Sequence, residues 1–173
     1  FCLEEAATTG TSVLNSQGGY IYAPEFEPGS SYMPFSSQLN FLGNPIPYWY
    51  YVSGNNIEKE QIPTRRMMED QLDAFIEQKI DNCDFTPYYA EGFEIFWTEP
   101  TSKTTIKEDR IEITLDSSLK ITKNNESVTV RNHKITVRSK LGSLYDSAKK
   151  IYNQQQETLF LEEYGMDVLW NYA

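Results

Sequence analysis

Residues 110–138, RIEITLDSSLKITKNNESVTVRNHKITVR, hold the pattern that decides the fold class. Apolar and polar residues alternate in three stretches, at 111–115, 128–130 and 135–137. A period of two is typical of strands that turn one face to a core and the other to water. The Asn-Asn and Asn-His pairs between these stretches predict tight turns. We therefore predict an antiparallel β-meander.

The meander is expected to pack against helices. Its strands are placed at 93–97, 104–107, 110–115, 119–123, 127–131 and 134–138. Apolar residues spaced by three and four predict helices at 2–16 and 63–82, and a third that starts at 141 and continues or restarts toward 169. A brief strand is expected at 20–23. The predicted class is α+β, one domain over residues 1–173, with N-terminal, middle and C-terminal helices packed on one face of the meander.

The charge of the chain is strongly negative and unevenly spread. A net charge of −10 argues against nucleic acid as a partner, because phosphate binding needs clustered Lys and Arg. Residues 101–150 nevertheless hold 11 of the 15 basic residues and only 6 of the 25 acidic ones. Two readings stay open: both regions are simply solvated, or they attract each other in a head-to-tail self-association.

The two cysteines, Cys2 and Cys83, are predicted to form a disulfide. Cys2 begins one predicted helix and Cys83 ends another, and one histidine cannot complete a zinc site with them. Free thiols would be the alternative in a cytosolic protein. A disulfide indicates an oxidising compartment. The sequon Asn125-Glu126-Ser127 lies in a predicted hairpin tip, where Asn125 could accept a glycan.

Residues 20–51 form a long segment that is rich in aromatic residues and proline, with ten aromatic residues and five prolines. Within it, Tyr48, Trp49, Tyr50 and Tyr51 follow one another, and an extended chain must point them alternately to opposite sides. Tyr48 and Tyr50 are predicted to face inward because Ile46 and Val52 share their parity. Trp49 and Tyr51 would then face outward and form the candidate binding surface. The alternative is that the segment wraps the sheet and buries both pairs.

Catalytic motifs are scarce, and the chain is predicted not to be an enzyme. The single histidine, His133, falls at a predicted turn, where an exposed position is expected. Two S-x-x-K matches, at 117–120 and 147–150, lack the other motifs of serine–lysine hydrolases. Glu91, Glu94 and Glu99 flank Trp97, but alternation places Glu94 on the solvent face. No catalytic residue, cofactor or metal is assigned.

Several short motifs carry a resemblance to a known group of proteins. They are Cys2-Leu3, QGGYI at 17–21, IPYWYY at 46–51, MEDQL at 68–72 and EGF at 91–93. In this order they resemble uncharacterised predicted surface proteins of small-genome archaea, which carry one N-terminal membrane helix similar to a pilin stem. The resemblance implies an anchor before Phe1 and pairing of the two cysteines. It implies no activity and no catalytic residues.

These observations lead to one functional expectation and two rivals. The chain is expected to be the extracytoplasmic, non-catalytic module of a membrane-anchored protein that binds or assembles with a surface protein or glycan. Its contact with the membrane would run only through a segment outside the chain, because no stretch of about 18 apolar residues occurs. The rivals are a ligand-sensing ectodomain between two membrane helices and, third, a hydrolase.

Overall fold

The structure is a computed structural model that describes residues 2–172. Its helices are α1 (Cys2–Ser16), α2 (Arg65–Asp81), α3 (Thr86–Ala90), α4 (Leu141–Thr158) and α5 (Phe160–Tyr172). Its first strands form two small hairpins: β1 (Gln38–Phe41) with β2 (Asn44–Pro47), and β3 (Tyr50–Val52) with β4 (Glu58–Glu60). The remaining strands are β5 (Glu94–Trp97), β6 (Thr101–Ile106), β7 (Arg110–Asp116), β8 (Leu119–Lys123), β9 (Glu126–Val130) and β10 (His133–Arg138).

The six later strands are the halves of three long, bent strands. β5 leads into β6, β7 into β8 and β9 into β10, and all neighbours pair antiparallel. Because the long strands run antiparallel, each sheet contains one half of every long strand: β6, β7 and β10 form one three-stranded sheet in the order β10-β7-β6, and β5, β8 and β9 form the other in the order β5-β8-β9. We call β6, β7 and β10 the proximal half-sheet, and β5, β8 and β9 the distal half-sheet. The predicted meander therefore exists, but as three long strands that break in the middle.

The break comes from a slip of one residue on both sides of the central strand. Leu115 pairs with His133, whereas Leu119 pairs with Val130, so three central residues face only two on the neighbouring strand. Asn132 supplies the positive φ of 56° that this slip needs. The inward positions are consequently even-numbered in β9 and odd-numbered in β10.

Helices α1 and α2 cover the inner face of the proximal half-sheet. Buried residues of these helices meet Ile106, Ile111, Ile113 and Leu115 in one apolar core. Gly10 lets the two helices approach closely, because a Cβ there would lie 2.5 Å from Cδ1 of Leu72. Helix α2 begins after Thr64, whose hydroxyl oxygen accepts a hydrogen bond from the amide of Met67.

The α+β class and the helices near the start, middle and end of the sequence are confirmed, with two differences. Residues 20–23 form no strand; Tyr20 is buried and its hydroxyl donates to the carbonyl of Gln61. The C-terminal helix restarts after Leu159, which has a φ of 52°, as one of the two predicted courses had it, but α5 buries none of its residues instead of packing on the sheet. Among the C-terminal helices, it is therefore α4 that packs on the rest of the molecule, through residues from Leu141 to Tyr152. No helix within residues 2–172 has the length and apolar character to cross a membrane.

Candidate binding groove beside the disulfide

The predicted disulfide is confirmed. Cys2 and Cys83 are bonded, with their Cα atoms 6.3 Å apart. The bond joins the first turn of α1 to the segment that follows α2, and it stands where the helical cover of the sheet ends. Beyond it, residues 83–91 lie opposite the inner face of the distal half-sheet.

An open apolar groove of about 940 Å³ lies between that segment and the distal half-sheet. Six of its lining side chains are Ile80, Phe85, Ile95, Trp97, Leu119 and Ile121. The groove is closed on the β5 side, where the rings of Phe85 and Trp97 meet edge to face with centroids 5.7 Å apart. A volume of this size accepts a small molecule or two turns of a peptide helix.

The β9 side of the distal half-sheet has no such cover. Every residue of β9 is exposed. Val128 and Val130 pair with Ile121 and Leu119 and share their face of the sheet, yet they are 62% and 42% exposed. The apolar surface thus runs from the groove to an open sheet edge, which is unusual for an edge strand.

Polar side chains also line the groove, among them Glu4, Asp84, Tyr88, Glu91, Ser117, His133 and Lys134. The carboxylate of Asp84 accepts hydrogen bonds from the hydroxyl and the amide of Thr86, which lower its pKa. The ammonium of Lys123 lies 4.0 Å from the ring centroid of Phe93. The hydroxyl of Ser117 donates to the carbonyl of Thr98 and is buried, so it is not free to act as a nucleophile.

The position of His133 differs from the prediction. It is the first residue of β10, opposite Leu115, and it is half-buried and lines the groove instead of standing exposed at a turn. The slip at Asn132 causes this, because it turns the odd-numbered residues of β10 inward. Among residues 2–172, no group of three or more His, Cys, Asp or Glu side chains is arranged to hold a metal ion.

The predicted orientation of Trp49 and Tyr51 is wrong. Tyr51 is only 8% exposed, and Trp49 packs against the core while its Nε1 donates to the carbonyl of Gly18. Tyr48, which was expected inside, is exposed. Ser53 has the same parity as Tyr51 and is also buried, and its hydroxyl and amide both donate to the carbonyl of Ile57 in the β3–β4 turn.

Residues 20–62 pack around the end of the molecule that holds the proximal half-sheet, and they connect the elements there. The ring of Trp49 contacts Tyr145 and Tyr152 of α4 at 6.0 and 6.1 Å between centroids. Burial and the nearby carboxylate of Glu60, which accepts a hydrogen bond from Tyr152, raise the pKa of Tyr152. The contacts of Trp49 and Tyr51 are therefore structural, and these two residues no longer support a binding surface. The alternative, in which both pairs of rings are buried, is not met either, because Tyr48 is exposed.

The remaining candidate, Asn125, lies at the tip of the β8–β9 hairpin. Asn124 and Asn125 have φ values of 52° and 65°, as in a type I′ turn, and Asn125 is exposed. The side chain is thus accessible to a glycan, and glycosylation stays a prediction.

The groove itself was not predicted from the sequence. One signal in the sequence points to it. Apolar residues at alternate positions share one face of the strands, and little helical sequence remains to cover that face; they are Ile95, Trp97, Leu119 and Ile121.

Comparison of the chain with protein-family models, with curated proteins and with solved structures finds no match in any of the three.

Proposed function

We propose that the chain is a non-catalytic binding or assembly module that works at the cell surface, and that it binds through the groove of the distal half-sheet. One observation carries this proposal. An apolar cavity of about 940 Å³ opens onto the exposed valines of β9, so a continuous apolar surface is left without a cover. A protein segment with an apolar face fits this surface best, because exposed apolar side chains continue from the groove to the edge strand β9.

The cell-surface location is supported by the disulfide. A bond between two cysteines 81 residues apart persists in an oxidising compartment and is rare in the cytosol. Alkylation of the purified native protein without reductant, followed by mass spectrometry, should label neither cysteine. Two labelled cysteines would contradict the location.

The groove can be tested with a fluorescent apolar probe, 1-anilinonaphthalene-8-sulfonate. We expect saturable binding to the folded protein, and we expect Ile121→Gln to weaken it about tenfold, because Ile121 lines the groove. Thr122→Gln is the matched control, since Thr122 follows on the opposite face of the same strand. Equal binding by both variants, measured after circular dichroism has shown that they are folded, would exclude the groove as the binding site.

A ligand-sensing domain is the second candidate, and the cavity volume favours it. About 940 Å³ lies within the range of small-molecule sites. Displacement of the probe separates the two functions. If dodecanoic acid displaces it at micromolar concentration and an amphipathic peptide does not, the groove is a small-molecule site.

A further inference from the structure

The edge strands β6 and β9 differ in what binds their backbone groups. On β6, two edge amides are occupied by carboxylates of α2: Ser102 donates to Oε1 of Glu77 and Ile106 donates to Oε1 of Glu69. On β9, by contrast, no side chain within residues 2–172 hydrogen-bonds to the backbone. An edge that is exposed over its whole length, and free of Pro and Lys, is a template for another strand.

From this contrast we infer that β9 pairs antiparallel with β9 of a second copy of this chain, across a two-fold axis at Val128. The inference rests on the proposed function, since it names the partner of the assembly module. The two distal half-sheets would become one six-stranded sheet with two grooves on the same side.

The turn before β9 determines which backbone groups are free. Lys123 and Glu126 flank the two-residue Asn124-Asn125 turn and are paired, so the amide of Glu126 faces Lys123. Because antiparallel pairs alternate, the amides and carbonyls of Ser127 and Thr129 face the open edge.

These free groups are self-complementary. When Val128 of one copy faces Val128 of the other, Ser127 of each copy faces Thr129 of its partner and exchanges both backbone hydrogen bonds with it. Glu126 then faces Val130, so no like charges oppose each other. An isologous contact of this kind closes after two copies.

The position of α5 in the molecule favours a second copy, and not α5, as the partner of the open β9 edge. Helix α4 is fixed at the far end of α2, where Asp146 pairs with Arg65 and where Tyr152 contacts Trp49. Since α2 is about 25 Å long, α5 starts from the opposite end of the molecule to the groove. The exposed apolar residues of α5 are therefore a separate surface, which the experiment must distinguish.

Sedimentation equilibrium of the oxidised chain tests the inference. The contact is small, so we expect the mass to rise from 20.0 kDa to twice that value between micromolar and millimolar protein. Thr129→Pro should stay monomeric and folded, because the lost amide faces the open edge. Val128→Lys should also stay monomeric, because two lysines would meet on the axis.

A charge swap tests the register itself. Val128→Lys mixed with ¹⁵N-labelled Val128→Glu should recover the dimer, as a mixed species in native mass spectrometry, only if residue 128 faces residue 128. Phe96→Lys is the control, since it makes the same charge change on the exposed outer face of the opposite strand and should dimerise like the unmodified chain.

Three results would overturn the inference. One is a chain that stays at 20.0 kDa at every concentration while the groove still binds the fluorescent probe, which leaves the proposed function intact. Another is a dimer that survives Val128→Lys but is lost on Leu169→Glu, which would place the contact on α5. The third is a chain that does not associate with itself and whose β9 pairs only with a strand of a different protein. A dimer without probe binding would instead contradict the proposed function and leave the edge pairing supported.

Discussion

The proximal and distal half-sheets are made by the same three strands, yet one is buried and the other is open. The central strand alternates apolar residues through both, with Ile113 fully covered in the proximal half and Ile121 half-buried in the distal half. The difference lies in what packs above them. Helix α2 ends at Asp81 and the disulfide follows, so the sheet extends beyond its helices. Equal strand patterns can thus serve a core at one end and a binding surface at the other.

The disulfide marks the boundary between the halves, and its removal should have the largest effect. We expect a Cys2→Ser, Cys83→Ser variant to lose about 4.5 kcal/mol of unfolding free energy, from closure of an 81-residue loop in the unfolded chain. Urea unfolding measures this, and dithiothreitol should not destabilise the variant further. Hydrogen exchange should accelerate more in the distal half-sheet than in the proximal one; the reverse order would contradict our boundary.

The two isoleucines of the central strand compare the halves directly. Ile113→Ala should lower the free energy of unfolding by about 4 kcal/mol, because it leaves a cavity in a covered core. Ile121→Ala should lower it by only about 1 kcal/mol, since its side chain is partly in water already. Similar losses in urea unfolding would mean that the groove is closed in solution.

Two aromatic residues extend the comparison beyond aliphatic positions. Trp49→Ala should cost about 3 kcal/mol, because it removes the contacts of the indole with α4 and its hydrogen bond to Gly18. Phe96→Ala should change stability by less than about 0.5 kcal/mol, because Phe96 is 64% exposed on the outer face of β5. Thermal unfolding distinguishes these results. If Trp49→Ala does not change the stability, the outward orientation of Trp49 that the sequence predicts would be correct.

The smallest effect concerns the hydroxyl of Thr104, which is buried in the proximal half-sheet and has no hydrogen-bond partner among the described residues. Thr104→Val should stabilise the protein by about 1 kcal/mol, because it removes an unpaired polar atom and keeps the shape of the side chain. Thr105→Val, on the other face of β6, is the control and should be close to neutral. A loss of stability in Thr104→Val would indicate a partner for the hydroxyl in solution.

The elements with a regular period could be predicted from the sequence. The helix predicted at 63–82 follows from its apolar spacing, and the strand positions follow from alternation. Pro63 does not lie in the first turn, because α2 begins at Arg65 after the cap Thr64. The break in the strands was also encoded: Val128 and Val130 are even-numbered, whereas Ile135 and Val137 are odd-numbered. One face can hold both pairs only if the register slips between them, as it does at Asn132.

The orientation of Trp49 could not be predicted in this way. The strand β3 has three residues, which is too short for alternation to indicate which side is inside. Its inner side is set by distant partners, the carbonyl of Gly18 and the ring of Tyr145, nearly a hundred residues further along the chain. The open edge of β9 is equally invisible in the sequence, because it depends on where the helices end.

The disulfide also determines how the protein would respond to a pulling force. If the two ends of the chain were stretched, tension would pass from Cys2 directly to Cys83 through the covalent bond. The 81-residue interval between them, about 280 Å of extended chain, would stay out of the load path. Helix α3, the sheet and the C-terminal helices could be drawn out, so reduction of one bond would nearly double the distance that the unfolded chain can span.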